Sequence, residues 1–167
     1  MAGPIKALVV DDDIWSLRMI TGMLAQCFPD IAVEAREEPD CSGDFDIYFI
    51  DNDFNGRPLA KDLAIEIRQR DPDALVVAVS SKLDSDLLRE LINLGCNGAC
   101  DKSVAGDMPR AMEIVGAFIE TRARMAAATS VESSSSGGLV GTINSIRGLL
   151  REWNQRLEQQ EVNEKAA

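Results

Sequence analysis

The sequence predicts an α/β protein: a doubly wound, five-stranded parallel sheet with helices on both faces. Short apolar runs alternate with segments of helical spacing, and the runs are apolar at almost every position. A strand with no polar face is typical of a sheet covered on both sides, because neither side of the strand meets water. Consecutive parallel strands also need a crossover, which the intervening helical segments supply.

Five segments carry the strand pattern. The first, at 5–10, is rich in β-branched residues and ends abruptly in three acids, as a buried strand does where it meets a loop. Similar runs recur at 31–33, 47–50 and 75–79, and a weaker one lies at 98–100. Strand and helix therefore alternate along most of the chain.

Four segments have apolar residues at helical spacing. A proline follows Asp71 at the end of the second segment, and Gly95 follows the third, as expected at helix ends. In chain order, the apolar positions are Leu17, Ile20, Leu24 and Phe28; Leu59, Leu63 and Ile67; Leu87, Leu91 and Leu94; and Met108, Met112, Val115 and Ile119.

Composition narrows the function classes. The 167 residues include 28 acidic and 17 basic ones, for a formal net charge of −11, and 46% are hydrophobic. These values are typical of a soluble globular protein with one main core, and they argue against nucleic-acid binding, which needs a basic surface. The sequence shows no signal peptide and no apolar stretch long enough to span a bilayer, so we expect a cytoplasmic protein that binds no membrane.

The chain contains no histidine, which excludes Ser-His and Cys-His nucleophilic catalysis, His-ligated zinc and a phosphohistidine donor. Its four cysteines, Cys27, Cys41, Cys96 and Cys100, have no C-x-x-C spacing. We therefore expect reduced thiols that are mostly buried.

Polar residues follow four of the predicted strands. Because the carboxyl ends of parallel strands share one edge of the sheet, we expect these side chains to converge there. Converging carboxylates repel one another, and a hard divalent cation such as Mg²⁺ relieves the repulsion while leaving room for a phosphate oxygen. A lysine and a hydroxyl add contacts that a phosphoryl group needs, so the pattern favours phosphoryl chemistry on a carboxylate. The residues are Asp11, Asp12 and Asp13; Asp51 and Asp53; Ser80 and Ser81; and Lys102.

These residues resemble the motifs of a known family, the CheY-like receiver domains of two-component response regulators. The resemblance covers about residues 4–124 and rests on segments 9–13, 47–51 and 76–81, and on Gly98 followed by Lys102. It implies the flavodoxin-like receiver fold and a signalling relay, not an enzyme. It also implies that an aspartate accepts a phosphoryl group from a histidine kinase or a phosphotransfer protein.

The resemblance assigns a role to each polar residue. The phosphoacceptor is Asp51. The phosphoryl group is bound by the hydroxyl of Ser80, with Ser81 next to it, and by Lys102, which pairs with its charge. The loops that contain Ser80 and Lys102 then move toward the phosphoryl charge, and this movement changes the surface that partners contact. The implied Mg²⁺ ligands are the carboxylates of Asp11, Asp12 and Asp51 and the backbone carbonyl of Asp53.

Four features depart from the family pattern. Lys102 is followed by Ser103 where a proline is usual, so we expect a looser loop there. Ala99 stands where many receivers carry a switch aromatic, and the stretch after Asp51 lacks the usual Met-Pro pair. Segment 37–46 contains a proline and a glycine and is too short for a full helix, so we expect the second helix of the family to be one turn or missing.

The sequence divides into three parts. We expect a receiver domain at 1–125, a flexible Ser/Gly-rich linker at 126–138 and an amphipathic C-terminal helix at 139–167. A helix this short is marginal in water, so we expect it to dock on a downstream protein, on its own domain or on a second copy as a homodimer. Its coiled-coil seam consists of Ile143, Ile146, Leu150, Trp153 and Leu157, with the tryptophan as anchor.

Two other interpretations stay open. A degenerate receiver takes no phosphate and acts through constitutive protein contacts, which the altered loops favour. A haloacid-dehalogenase-like phosphatase uses a D-x-D pair, which Asp51 and Asp53 match, but only Asp107 follows Lys102 where those enzymes usually have two acids. Incubation with a phosphodonor separates these interpretations. Addition of one phosphoryl group indicates a receiver, and sustained turnover of a phosphatase substrate indicates a phosphatase. If neither is seen, the protein is a degenerate receiver.

Overall fold

The computed structural model describes residues 4–132. The chain divides into two compact units, Met1–Met125 and Ala126–Ala167, and the first contains every strand described below. In chain order the elements are β1 (Lys6–Val10), α1 (Ile14–Cys27), β2 (Ala32–Arg36), β3 (Ile47–Asp51), β4 (Asp53–Phe54), β5 (Arg57–Pro58), α2 (Ala60–Arg70), β6 (Leu75–Ser80), α3 (Ser85–Asn93), β7 (Gly98–Asp101) and α4 (Asp107–Glu132).

Five of the strands form one parallel sheet in the order β2-β1-β3-β6-β7. This is the sheet that the sequence predicts, and all five strands overlap the predicted segments. The chain runs outward from β1 to one edge and then returns through β3 to the other edge. The carboxyl ends of β1 and β3, which are neighbours, lie where this direction reverses, and such a point is where ligands bind in open α/β sheets.

The sheet separates two apolar layers. Alternate residues of β1 face opposite sides, so that Ala7 and Val9 pack with α1 and α4, whereas Leu8 and Val10 pack with α2 and α3. The same alternation holds in β3. A strand whose two sides both contact an apolar layer has no solvent-facing position, which explains the uninterrupted apolar runs in the sequence.

No helix forms between β2 and β3, in agreement with the sequence prediction. The intervening segment is instead held by two arginines. Arg36 donates through Nη1 to the carbonyls of Asp40 and Ser42, at 3.0 and 2.8 Å, and Arg70 donates through Nη2 to the carbonyl of Cys41. The Cys41 side chain is buried in the layer that faces α2, so this loop covers part of the sheet in place of a helix.

A small antiparallel hairpin, β4–β5, follows β3 and is not among the sequence predictions. Its turn is Asn55-Gly56, and both residues have positive φ, 52° and 80°. This conformation suits the two-residue turns that match the twist of paired strands, and Asn-Gly is their commonest sequence. Phe54 anchors the hairpin because its side chain is buried in the core.

The last described element, α4, extends to Glu132 and so includes the first residues of the segment 126–138, for which the sequence predicts a linker. Residues 126–128 are all alanine, the strongest helix former, and they continue the helix. The remainder of the predicted linker and the predicted helix at 139–167 lie outside the described residues. Among the described residues, no helix combines the length and apolarity needed to cross a membrane.

Candidate functional site

Three carboxylates meet at the carboxyl ends of β1 and β3. Asp51 is the last residue of β3, Asp11 directly follows β1, and the pairing of Val10 with Ile50 places these two ends side by side. Asp12 completes the cluster: one oxygen of each of the three carboxylates lies within 4.8 Å of the others. Asp11 and Asp51 are buried, and Asp12 is half-buried.

Lys102 reaches into this cluster from the loop after β7. Its Nζ lies 2.6 Å from Oδ2 of Asp11 and 2.7 Å from Oδ1 of Asp51. The lysine side chain is only 13% exposed, so the ion contact is shielded from water. Three carboxylates against one ammonium leave an excess of negative charge at the site.

Burial and charge act in opposite directions on these groups. Burial raises the pKa of Asp11 and of Asp51 above the ordinary aspartate value, and the nearby Asp11 charge adds to the effect on Asp51. Contact with Lys102 opposes the rise at both carboxyls. For Lys102, burial alone lowers the pKa, but the hydrogen bonds and charges of the two carboxylates outweigh it and the pKa is raised. The ammonium therefore stays charged at the centre of the site.

The loop after β1 uses its three acids differently. Asp13 is the N-cap of α1, and its carboxylate accepts from the backbone N–H groups of Trp15 and Ser16. Asp11 accepts through Oδ1 from the N–H of Asp13 at 3.0 Å. The cap therefore turns the chain so that Asp11 and Asp12, but not Asp13, join the cluster.

Asp53, which the resemblance assigns to the metal through its backbone carbonyl, lies just beyond Asp51. Its N–H donates to Oδ2 of Asp51 at 2.7 Å, which fixes the orientation of that carboxylate. The side chain of Asp53 is exposed and accepts from the N–H of Gly56 at 2.8 Å, inside the hairpin. Its carboxylate is thus outside the three-carboxylate cluster, and the role of its carbonyl stays a prediction.

Ser80 ends β6 and is buried, whereas Ser81 is exposed. The Ser80 hydroxyl donates to the carbonyl of Lys82 at 3.0 Å and accepts from the N–H of Lys82 at 3.1 Å. Both serines line a cavity of about 230 Å³, together with Asn52, Asp53, Gly56, Pro58 and Lys82. The serines therefore stand at an opening beside the end of β3, and their role toward a phosphoryl group stays a prediction.

Two residues of this region are absent from the sequence predictions. The N–H of Asn55 donates to Oδ2 of Asp12 at 2.8 Å. The carboxylate of Asp101 accepts from the N–H of Leu83, in the loop after β6, and from the N–H of Ser103, which follows Lys102. The Asn-Gly dipeptide is a turn signal that could have revealed the hairpin. No local signal marks the contact of Asp101 with Leu83, because the two residues are 18 positions apart in sequence.

The cluster fits a hard divalent cation. Buried oxygens Oδ2 of Asp11 and Oδ1 of Asp51 have the Lys102 contact but no further hydrogen-bond partner within residues 4–132. Carboxylate oxygens are the ligands that Mg²⁺ prefers, and a divalent cation would offset the excess negative charge. The partner-binding residues proposed for the C-terminal helix, from Ile143 to Leu157, lie outside the described residues.

Comparisons with known proteins agree with this geometry. The sequence matches no protein-family model and no curated protein. Among solved structures, the chain is similar to the BeF₃-activated receiver domain of DrrB, an OmpR/PhoB homologue of Thermotoga maritima, with a TM-score of 0.61 and 17% identity over 71% of this chain and 99% of that one. The chain has the fold of a response regulator receiver domain.

Two further structures share this receiver fold. A CheY-like receiver protein from Methanospirillum hungatei has a TM-score of 0.60 and 16% identity, covering 73% of this chain and 99% of its own. The response regulator TrrA of Thermotoga maritima, solved with Mg²⁺ and BeF, has a TM-score of 0.56 and 19% identity over 68% and 98% of the two chains. The receiver fold therefore accounts for the part of the chain that contains the carboxylate cluster.

Proposed function

We propose that this protein is a signalling relay that accepts a phosphoryl group on Asp51 from a histidine kinase or a phosphotransfer protein. The observation that carries the proposal is the position of the Asp51 carboxylate, buried between two other carboxylates and the Lys102 ammonium. The similar solved structures include receivers in complex with beryllofluoride, a phosphoryl mimic, one of them together with Mg²⁺.

The carboxylates of Asp11, Asp12 and Asp51 would hold Mg²⁺, joined by the backbone carbonyl of Asp53. Bound there, the cation supplies charge that stabilises the transferring phosphoryl oxygens. Asp11 and Asp51 follow two neighbouring strands, so the sheet fixes the spacing of their backbones, and the N–H of Asn55 restricts the carboxylate of Asp12. A site built on strand ends is rigid before any ligand arrives, which lowers the entropic cost of binding.

In the transfer step, an oxygen of Asp51 attacks phosphorus. The bond from phosphorus to the donor imidazole nitrogen breaks, and that nitrogen keeps the electron pair. No general base takes part, because an ionised carboxylate carries no proton to remove. Lys102, held 2.7 Å from Oδ1 of Asp51, lies where it can pair with the negative charge of the incoming group.

The product carries a charge of roughly −1.5 to −2 if it resembles other phosphorylated side chains, against −1 for the ionised aspartate. In the unphosphorylated protein, Lys102 contacts both Asp11 and Asp51, so a phosphoryl group on Asp51 would compete with Asp11 for the ammonium. Ser80 would exchange its hydrogen bonds to Lys82 for one to the phosphoryl group. Both changes displace loops at one edge of the sheet and alter the surface that a partner contacts.

The output is a change of protein partner. We propose that the segment 139–167 provides the contact, through the apolar seam from Ile143 to Leu157, either to a downstream protein or to a second copy of the chain. We place the protein in the cytoplasm, where kinases and phosphotransfer proteins act on such relays. All four cysteines are free thiols, which suits a reducing compartment.

The test is phosphorylation of the full chain with acetyl phosphate and Mg²⁺, followed by intact-mass measurement. We expect one phosphoryl group on the wild type and none on Asp51→Asn. The matched control is Asp53→Asn, which changes a carboxylate two residues away that is outside the cluster, and it should still be modified.

Other results would replace the proposal by one of its alternatives. A folded protein with no mass gain and no response to beryllofluoride would indicate a degenerate receiver that works by constitutive contacts. Continuous turnover of a general phosphatase substrate, abolished by Asp51→Asn, would indicate an enzyme.

A further inference from the structure

The carboxylate of Asp101, the last residue of β7, accepts hydrogen bonds from two separate loops. Its Oδ1 accepts from the N–H of Ser103 at 2.8 Å and from the Ser103 hydroxyl at 2.5 Å. Its Oδ2 accepts from the N–H of Leu83 at 3.2 Å, 18 residues earlier in the chain. One side chain thus connects the loop after β6 with the loop after β7.

These two loops contain the residues that the proposed function needs to move. Ser80 stands at the start of the first loop, and Lys102 lies in the second, next to Asp101. A backbone hydrogen bond joins the loops a second time, because the N–H of Lys102 donates to the carbonyl of Ser80 at 2.7 Å. These hydrogen bonds hold the loop after β7, in which Ser103 stands where a proline is usual in the family pattern.

The Leu83 end of the link leads to α3. The Leu83 side chain packs against the apolar layer that contains α3, and the next residue, Asp84, is the N-cap of that helix. Asp84 accepts from the N–H groups of Asp86 and Leu87, so its position sets the position of the first turn. The hydrogen bond from Leu83 to Asp101 therefore ends one residue before the N-cap of α3.

We propose that Asp101 is a positioning residue that makes the Ser80 loop and the Lys102 loop move as one unit, so that a displacement of Lys102 is transmitted to α3. The signalling role rests on the proposed function, whereas the mechanical link exists without phosphate and can be tested alone. A carboxylate suits this task because both of its oxygens accept hydrogen bonds, and here they receive three.

Asparagine is the informative substitution at this position. The amide has a similar shape but only one acceptor oxygen, which can still serve Ser103. Its NH₂ group then faces the N–H of Leu83, and two donors cannot bond. Asp101→Asn should therefore break the side-chain link to Leu83 while leaving the turn at Ser103 in place.

The first experiment uses the full chain without phosphate and records backbone amide NMR shifts of Leu83 and Asp84. In the wild-type background, Lys102→Gln disturbs the second loop and should shift both signals. In the Asp101→Asn background, the same change should shift them by a roughly threefold smaller amount, because coupled residues give non-additive responses. Equal shifts in both backgrounds would overturn the proposal.

Two further variants complete the design. Asp73→Asn changes an exposed carboxylate in the loop before β6 and should leave the wild-type shifts unaltered. Should Asp101→Asn fail to fold, Leu83→Pro removes the donor N–H from the other side of the same hydrogen bond. In that background also, a full-sized response of Asp84 to Lys102→Gln would overturn the link.

The second experiment adds Mg²⁺ and beryllofluoride and follows the amides of α3. We expect a response in the wild type that Asp101→Asn reduces roughly threefold, even at saturating ligand. An equal α3 response in both proteins would contradict the coupling. No response in the wild type would contradict the proposed function, and the phosphate-free experiment would still decide whether Asp101 joins the loops.

Discussion

The backbone N–H of Asn55 donates a hydrogen bond of 2.8 Å to Oδ2 of Asp12, across 43 residues of sequence. Asp12 is the least buried of the three clustered carboxylates, so this bond restricts the group that would otherwise rotate most freely. The bond exists because Asn55 and Gly56 adopt positive φ in the turn of the β4–β5 hairpin. The hairpin therefore helps to position a candidate metal ligand.

Gly56→Ala should weaken Mg²⁺ binding. Alanine at a φ of 80° costs roughly 1–2 kcal/mol, so the turn will relax and draw the N–H of Asn55 away from Asp12. We expect Kd, measured by isothermal titration calorimetry, to rise roughly threefold to tenfold. A Cβ at this position would meet no atom within 4 Å, so a clash is not involved.

Two controls separate the turn from general effects. Asn55→Gly retains the N–H and tolerates positive φ, so the affinity for Mg²⁺ should stay close to that of the wild type. Gly22→Ala lies inside α1, also without a neighbour within 4 Å, and should raise stability by roughly 0.5–1 kcal/mol without changing affinity. Unchanged binding in Gly56→Ala would show that the hairpin does not position Asp12.

Asp51→Asn should stabilise the protein in the presence of a chelator. Burial raises the pKa of Asp51, and a carboxyl whose pKa is higher in the folded state stabilises that state below the unfolded pKa and loses this contribution as the pH rises. The contribution falls as the pH rises above the ordinary aspartate value, and asparagine removes this loss while Lys102 keeps its partner Asp11. We expect Tm at pH 7 to rise by a few degrees, and the gain to shrink toward pH 4.

Mg²⁺ should reverse this order of stability. A cation that binds only the folded wild type adds about 2.7 kcal/mol when its free concentration is 100 times Kd. Asp51→Asn lacks one of the three carboxylates and should gain far less, as differential scanning fluorimetry with and without Mg²⁺ can show. The same Mg²⁺-dependent increase in both proteins would exclude Asp51 from the metal site.

The sequence predicted the sheet well because nearly every residue of β1, β3 and β6 is buried, which gives these strands their continuous apolar composition. Gly98 weakened the pattern of β7, and the structure gives the reason: a Cβ there would lie 2.9 Å from Cδ1 of Ile114. Helix α4 extends past residue 125 because the three alanines at 126–128, which resemble a linker in composition, also favour a helix.

The convergence of Asp11, Asp51 and Lys102 followed from strand order alone, since parallel strands end at one edge of the sheet. The hydrogen bonds that support these residues could not be predicted from the sequence. Asp101 resembles any other acid in the sequence, and its importance depends on the N–H of Leu83, which only the folded chain brings near. Local patterns therefore locate such a site, whereas tertiary structure decides what positions it.

Arg68→Lys should destabilise the fold although it preserves charge. The half-buried guanidinium donates to four acceptors, the carbonyls of Pro72, Ala74 and Gly95 and Oδ1 of Asn97, at 2.6 to 3.0 Å. A lysine ammonium cannot span these directions. We expect a loss of about 2–3 kcal/mol in the free energy of unfolding by urea, since the partly buried carbonyls of Ala74 and Gly95 would lose their donor.

Arg89→Lys is the matched control for that measurement. Arg89 is exposed and makes one ion pair with Asp86 three residues earlier in α3, at 3.2 Å. Such pairs contribute little, so the change should stay within about 0.5 kcal/mol. A similar small loss for Arg68→Lys would mean that its hydrogen bonds are replaced by water at no cost.

The reactivity of the four thiols with a disulfide reagent should distinguish the exposed cysteine from the buried ones. Cys27 is exposed, whereas Cys41, Cys96 and Cys100 are buried, so one thiol should react quickly at pH 8 and three only after unfolding. Burial raises the pKa of Cys96 and of Cys100 to about 11 and that of Cys41 to about 12. Cys27→Ser should abolish the fast phase, and more than one fast thiol in the wild type would contradict the described packing.

The same burial makes stability depend on alkaline pH. The unfolded thiols ionise near pH 9 while the folded ones remain protonated, so their contribution is complete below pH 9 and falls as the pH rises toward 11. Each buried thiol can add a slope of about 1.4 kcal/mol per pH unit. Urea unfolding of Cys96→Ala should therefore show a shallower loss of stability between pH 9 and 10.5 than the wild type does. An equal slope in Cys96→Ala would show that this thiol ionises in the folded protein.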